Sequence, residues 1–588
     1  MIGDNDGIDN LPVLREIIPF LPVQDLTPSG NEESPSMQQE LKETNVADHC
    51  ETPVVKGRPI FGINPLKVLF AMEYVLQGLA NPFQGITYQS FFRHFRFDYG
   101  LSEAATQNFF SRSYLAWSFK PVIGFFMDAY GKTRVVLTFL LLSGAAFYFL
   151  TPLFDVSAMV FFWMMFALSV FFAATDVAVD RATVITGDEE SKKSGRSKAA
   201  TVGLNQAICW AAIYGTSIVA YASGGFIADN VDLKYLLIGL GIVPLIVFFV
   251  VTRLPKDTAR PIPISSSVSN FWNGLNTGPI VWIILFYFLF HFQPALGALW
   301  TNYLISTIGF TQTQIGVADG IAYFGFFLGV LLFASVGIKW QDRFGMKSVF
   351  RIFIILSILV NLTQYLMVDP WFTNFTNWVH AHLLTGFSIS TVRIAYYAFY
   401  YFMSCILISF IRMSTFSLVG AVIPVAAAGS LFAGFMSVAN LAYSFSYASG
   451  AWLYDNGLNH GIFRLLQQGL FGIPAEPGSS MSVALLIFIG SMAYLLSFLA
   501  VHMLPDRAQT RSTTDTGDYL IGPEHFSVLG HRLLKTTNII SVIGGVGLFG
   551  ITVLIWHMEW IGAAIASFFI VTFVRKLFLD WRYKRVKN

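Results

Sequence analysis

Between residues 65 and 504 the sequence returns repeatedly to apolar runs of about 20 residues, the length at which a helix crosses a bilayer core. In hydrocarbon every backbone N–H and C=O must be paired within the protein, so only helices and closed barrels can span. These runs are continuous rather than alternating, which selects helices. Only 12% of the residues are charged and 54% are hydrophobic, against about 25% charged in soluble domains. A net charge of +2 offers no basic surface for nucleic acid. Cys50, Cys209 and Cys405 are scattered and form neither a C-x-x-C pair nor a disulfide framework. The first sixty residues lack the apolar segment of a signal peptide, so the first span is expected to act as the membrane signal.

The pattern predicts twelve spans: 65–92, 104–127, 134–153, 158–180, 199–228, 233–253, 279–308, 312–337, 347–367, 395–421, 428–454 and 481–504. Pro424 marks the turn between the tenth and eleventh. Two further runs, 539–556 and 561–579, meet at His557-Met558-Glu559 and read as a hairpin, with a kinked, partly interfacial pair as the alternative. The expected organisation is a disordered cytoplasmic tail (1–60), an N-terminal six-helix bundle (61–254), a cytoplasmic linker (255–278) and a C-terminal six-helix bundle (279–505). A polar connector (506–535) and a hydrophobic hairpin with a basic tail (536–588) follow.

One turn occurs twice. Gly124-x-x-x-Asp128-x-x-Gly131-Lys132-x-Arg134 joins spans 2 and 3, and Asp342-Arg343-x-Gly345 joins spans 8 and 9. Asp128 aligns with Asp342 and Gly131 with Gly345, so the chain reads as two homologous halves. The aspartate can accept from the next helix's N-terminal amides, and the glycine permits a positive φ. The turn resembles the loop between helices 2 and 3 of major facilitator transporters. Lys132, Arg134, Lys256, Arg260, Lys339, Arg343 and a basic stretch from Arg181 to Lys198 fall on one side under this count, which places both termini in the cytoplasm. The sequon Asn374-Phe375-Thr376 falls on the opposite side.

An ionisable side chain within a span is costly and marks a cavity or a partner. Glu73 and Gln77 share a face of span 1, and Asp176 and Asp180 share a face of span 4. Lys120 lies in span 2, His291 in span 7 and Arg412 in span 10. Plainer readings exist: Asp180 as a helix-end cap, Lys120 snorkelling to headgroups, His291 as a hydrogen-bonded structural residue. In the major facilitator fold that the turn's resemblance implies, spans 4 and 10 face one another, so Asp176 and Arg412 are expected to attract one another across the two halves in one conformation, with Glu73 and Lys120 extending the network.

Further motifs resemble the folate–biopterin transporter family of the major facilitator superfamily. They are Tyr74-x-x-Gln77-Gly78, Trp117-x-x-Lys120-Pro121-x-x-Gly124, Asp176-x-x-x-Asp180, Leu204-Asn205-Gln206-x-x-Trp210, and Pro424 followed by Phe432-Ala433 and Ser437-x-x-Asn440. Ala116 stands where the family has proline, and Ala426-Ala427-Ala428 where it has an acidic residue. The resemblance implies an all-α polytopic membrane protein of the major facilitator fold: two six-helix bundles, here with a C-terminal pair of hydrophobic helices. It implies that helices 1, 4, 7 and 10 line a central cavity. It further implies a secondary active transporter of a folate- or pterin-like small molecule, with a proton as candidate coupling ion. S-adenosylmethionine or another small organic molecule is the alternative cargo. The partners are then that substrate, the bilayer and the coupling proton, with no cofactor, metal or catalytic residue, and the plasma membrane is favoured. A membrane enzyme and a channel are the rival classes. No H-E-x-x-H, G-x-S-x-G or phosphate loop occurs in the spans, and the duplicated turns favour rocking halves over a pore.

Overall fold

In a computed structural model, the structure describes residues 58–130, 132–194, 198–255, 263–268, 271, 280–294, 297–337, 340, 343–422, 428–456, 461–471 and 480–504. It also describes 536–537, 539–541, 543–548, 567, 570–572, 574–579 and 581–582. Most of the expected tail, linker and connector, together with Pro424 and the 557–559 join, lie outside the described residues. Residues 56–588 form one compact unit.

The described residues are almost entirely helical. They form α1 (Pro65–Ala80), α2 (Thr87–Arg93), α3 (Glu103–Ser118), α4 (Lys120–Tyr130), α5 (Thr133–Leu150), α6 (Ala158–Ser194), α7 (Lys198–Asn230) and α8 (Leu233–Val251). The second half contains α9 (Ile280–His291), α10 (Gly297–Ser306), α11 (Gln312–Leu332), α12 (Met346–Leu362), α13 (Trp371–His382), α14 (Ile389–Val422), α15 (Ala428–Asn456), α16 (Gly461–Phe471) and α17 (Ser480–Ala500). Eight helices among the described residues are long and apolar enough to cross a membrane. They correspond to expected spans 3–6, 8–10 and 12. Span 11 is α15, a continuous helix rich in Ser, Gly and Tyr.

Spans 1, 2 and 7 depart from the expected continuous helices. Span 1 stops after Ala80, turns through Phe83 at φ 65° and Gly85 at φ 58°, and resumes as α2. Pro82 cannot continue the helical ladder. The freed carbonyls are satisfied locally: Thr87 Oγ1 donates to Asn81 O at 2.9 Å and Gln84 O at 2.7 Å, and the Tyr148 hydroxyl donates to Ala80 O. Span 7 breaks after His291 at Gln293-Pro294 and resumes at Gly297, where φ is 37°. There Ser446 Oγ accepts from Gln293 N at 2.8 Å. A methyl group on Gly297 would meet the Tyr447 ring at 2.8 Å, so the site requires glycine. Span 2 breaks at Phe119, just before Pro121.

Two further expectations are corrected. α6 continues to Ser194 instead of ending near Asp180, so Arg181, Lys192 and Lys193 lie on a helix rather than in a loop. Lys67 bridges to Glu190 at 2.9 Å and ties this extension to the start of α1. The sequon lies within α13, where the Thr376 hydroxyl is buried and donates to Phe372 O at 2.7 Å.

The two halves meet along two seams. α7 runs beside α11, and α15 runs beside α3 and α4. Glycines set the first seam. A methyl on Gly316 would meet Tyr221 O at 2.7 Å, and one on Gly320 would meet Ile218 O at 2.8 Å. The opposite face of α11 carries Gly325 and Gly329, which approach Phe402 and Ile406 of α14 just as closely. Small residues at helical spacing let apolar helices touch backbone to backbone. One core cluster is drawn mainly from the first half, and the other two from the second.

At one end of span 1, His94 is held between Asp98 at 2.9 Å and Asp155 at 3.0 Å. Burial alone would lower its pKa, but hydrogen bonds to the two carboxylates outweigh that and raise it above the ordinary imidazole value. The clamp fastens the end of span 1 to the loop before α6.

Candidate functional site

A cavity of about 410 Å³ lies between the two halves. Both helix breaks open onto it: Asn81, Gln84 and Gly85 from the first half, Gln293, Pro294 and Gly297 from the second. Discontinuous helices at corresponding places in two repeats expose backbone groups where a ligand can use them. More than half of the chain's 23 tyrosines line the cavity, along with Trp117, Trp210 and Trp300.

Four of the expected substrate or coupling residues line it: Gln77, Lys120, Asp176 and Arg412. Glu73, Asp180 and His291 are buried but are not among the lining residues. α1 and α6 bring the acidic group together. Gln77 Nε2 donates to Asp176 Oδ1 at 2.6 Å and to Glu73 Oε1 at 3.4 Å. Thr175 Oγ1 donates to Glu73 Oε1 at 2.6 Å. The Tyr74 hydroxyl donates to Asp180 Oδ1 at 3.0 Å, and Gln206 Nε2 to the same oxygen at 3.2 Å. Oε2 of Glu73 and Oδ2 of Asp180 are buried and have no hydrogen-bond partner.

The expected attraction between Asp176 and Arg412 is absent in this conformation. Asp176 forms an ion pair with Lys120 of its own half, and the ammonium lies 4.9 Å from the centre of the Trp117 ring. The break before Pro121 places Lys120 at the first turn of α4, where it faces Asp176 across the packed helices. Arg412 instead reaches across the halves to tyrosine. Its Nη1 donates to the Tyr214 hydroxyl at 3.1 Å, and its Nη2 to that of Tyr443 at 3.3 Å. Its guanidinium carbon is 5.8 Å from the Trp210 ring centre and 5.6 Å from that of Phe326. Nε is buried and unpartnered. Among the described residues no carboxylate lies within ion-pair distance of Arg412.

His291 is buried behind the lining, and its Nε2 has no hydrogen-bond partner. Its Nδ1 bonds to Tyr287 O at 2.9 Å, and its ring packs on Tyr287 at 4.3 Å. Of the repeated turns, Gly131, Asp342 and the side chain of Asp128 lie outside the described residues. Lys132 is exposed, Arg134 donates to Leu254 O at 3.2 Å, and Arg343 stacks on Phe344. Gly345 adopts φ 79° at the start of α12, the left-handed conformation that a glycine permits.

Near the α10 end, polar contacts join the halves across the cavity. The Tyr88 and Thr301 hydroxyls are 3.1 Å apart, Leu299 N donates to Gln107 Oε1 at 3.3 Å, and Arg96 Nε donates to Asn302 Oδ1 at 3.0 Å. Asp319, a buried carboxylate of α11, also lines the cavity and was missed by the sequence reading. An ionisable residue within run 312–337 was the available signal. The paired Pro/Gly interruptions at 81–85 and 293–297 were the available signal for the cavity itself.

A cavity between two helical halves, floored by buried charges and opened by paired helix breaks, belongs to an all-α polytopic membrane transporter of the major facilitator type. The sequence matches the BT1 family over residues 77–520, and the chain belongs to that family, the folate–biopterin transporters. Among solved structures, it is similar to a D-xylose–proton symporter at 13% identity and TM-score 0.50, over 76% of this chain and 99% of that one. It is also similar to the nucleoside transporter NupG at 14% identity and TM-score 0.48, over 75% of this chain and 98% of that one. No curated protein sequence matches it.

Proposed function

We propose that this transporter carries a folate- or pterin-like molecule by alternating access, in symport with protons. The observation that carries the reading is Arg412. It is a guanidinium without a carboxylate partner among the described residues, set between Trp210 and Phe326 on the wall of a tyrosine-rich cavity. A cation left unpaired in an apolar interior is costly, and an anionic substrate group relieves that cost. Aromatic walls suit a flat heterocycle. The volume falls within the range of about 300–1,000 Å³ usual for small-molecule sites.

Proton coupling draws its support from the acidic group. Glu73 and Asp176 both accept from the Gln77 amide, Asp180 follows Asp176 one turn on along α6, and Lys120 is the ammonium paired with Asp176. Three buried carboxylates beside one cation leave negative charge that a bound proton would neutralise. Glu73 is the best carrier, because Asp176 already has Lys120 and Glu73 has no cation. On this reading 61–254 and 279–505 are the rocking bundles, and the turns around Asp128 and Asp342 govern their equilibrium. Both termini face the cytoplasm, and the plasma membrane is the site of action.

The test is uptake of labelled folate, biopterin and S-adenosylmethionine by a transport-null cell, each with the other two as competitors. Folate or biopterin should be taken up saturably. Arg412→Ala should lower the apparent affinity for folate, whose carboxylates supply the anion, about 10- to 100-fold, the range for loss of a charged hydrogen bond, with Arg412→Lys in between. Uptake of S-adenosylmethionine alone, or full activity of Arg412→Ala, would overturn the reading.

A further inference from the structure

Asp319 is a second buried charge on the cavity wall and takes no part in the acidic network of the first half. It lies in α11, on the opposite half from Lys120 and Asp176. The Tyr397 hydroxyl donates to its Oδ1 at 2.9 Å. No Lys or Arg among the described residues lies within ion-pair distance of it. The cavity wall therefore carries two ionisable groups of opposite type without an ion-pair partner among the described residues, Asp319 and Arg412.

Their spacing follows from the helix. Asp319 and Phe326 lie seven residues apart on one face of α11, about 10 Å along its axis, and Phe326 is the ring on which Arg412 rests. Tyr323 falls on the same face between them, stacked on Tyr221 at 4.2 Å and 19°. The wall thus runs from a carboxylate, over aromatic rings, to a guanidinium.

A carboxylate is an acceptor only, with two oxygens and about four lone-pair sites. Tyr397 occupies one, and the buried Gln89 side chain lies beside the same carboxylate. The remainder match a ring edge that presents two parallel N–H donors, as an amino group beside a ring N–H does in a 2-aminopyrimidine.

We propose that Asp319 is the specificity-determining residue for the substrate's donor edge: it accepts the paired N–H groups of an aminopyrimidine-type ring while Arg412 holds the anionic end. The cargo is then a dipolar molecule, donor edge at one end and anion at the other. This deepens the pterin reading above and rests on it. A ring with a carbonyl in place of the exocyclic amine would turn a lone pair toward the carboxylate and leave it unpaired. Sites built to hydrogen-bond a group reject analogues that lack it far more strongly than apolar pockets reject a missing methylene.

The experiment compares two competitors of labelled folate uptake by the full-length protein in cells: unlabelled folate and its 2-oxo counterpart, which lacks the exocyclic amine. The wild type should prefer the amine by about tenfold or more. Asp319→Asn keeps the size and still accepts from Tyr397, yet its preference should fall to within about threefold, and Asp319→Glu should retain part of it. Thermal stabilisation of the purified variants by each ligand supplies the same ratio if Asp319→Asn does not transport. An unchanged preference in Asp319→Asn overturns the assignment, since a purely structural aspartate would leave that ratio alone. Absence of folate and biopterin uptake by the wild type would instead defeat the cargo reading itself.

Discussion

Buried charges are the residues that the sequence marks best, because an ionisable group inside an apolar run has few innocent explanations. Lys120, Asp176 and Arg412 stood out in this way, and all three line the cavity. Their pairing was not legible. Asp176 and Arg412 are opposite in sign and lie on helices expected to face one another, yet Lys120 takes Asp176, and tyrosines from both halves take Arg412. Tyr214 and Tyr443 carry no sequence signal among so many other aromatic residues. Glu73 lies behind the wall, with Oε1 held by Thr175 and Oε2 unpartnered. Glu73→Gln keeps the volume and the Thr175 bond but removes the titrating group. Uptake driven by an inward proton gradient should therefore fall about tenfold or more, an effect of about 1.4 kcal/mol. Exchange of internal for external cargo without a gradient should persist. Equal loss of both activities would make Glu73 structural.

Elements were legible where hydrophobic length decides them and illegible where local chemistry interrupts them. Eight spans emerge as long apolar helices, seven of them close to the expected bounds and span 4 overrunning its expected end. Spans 1, 2 and 7 do not, because hydropathy averages over a proline or glycine whose consequence is a break of a few residues. Those breaks in spans 1 and 7 shape the cavity. The extension of α6 was missed because Lys and Glu side chains suit a solvated helix as well as a loop. The α7–α11 seam permits a paired test. Gly320→Val places atoms against Ile218 O and Ala222, and overpacking of this kind costs about 1–3 kcal/mol. Its melting temperature and uptake should both drop. Gly239→Ala in α8 meets no atom within 4 Å, so it should transport normally and melt at the same temperature or slightly higher. Equal behaviour of the two variants would mean that close approach at the seam is not required.

At the scale of the molecule, the repeated Asp-x-x-Gly turn announced two halves, and the cavity lies between them. The seams at α7–α11 and α15–α3 hold the halves together, and the contacts of Thr301 and Asn302 add polar bridges between them. A carrier built this way must expose one site to each side in turn, so cargo on the far side should speed the site's return by letting it travel loaded rather than empty. Counterflow with the purified protein in proteoliposomes measures this. Vesicles preloaded with unlabelled biopterin should take up external labelled biopterin faster than empty vesicles, with saturable kinetics. Unsaturable entry that ignores the internal pool would contradict alternating access and leave a channel as the better description.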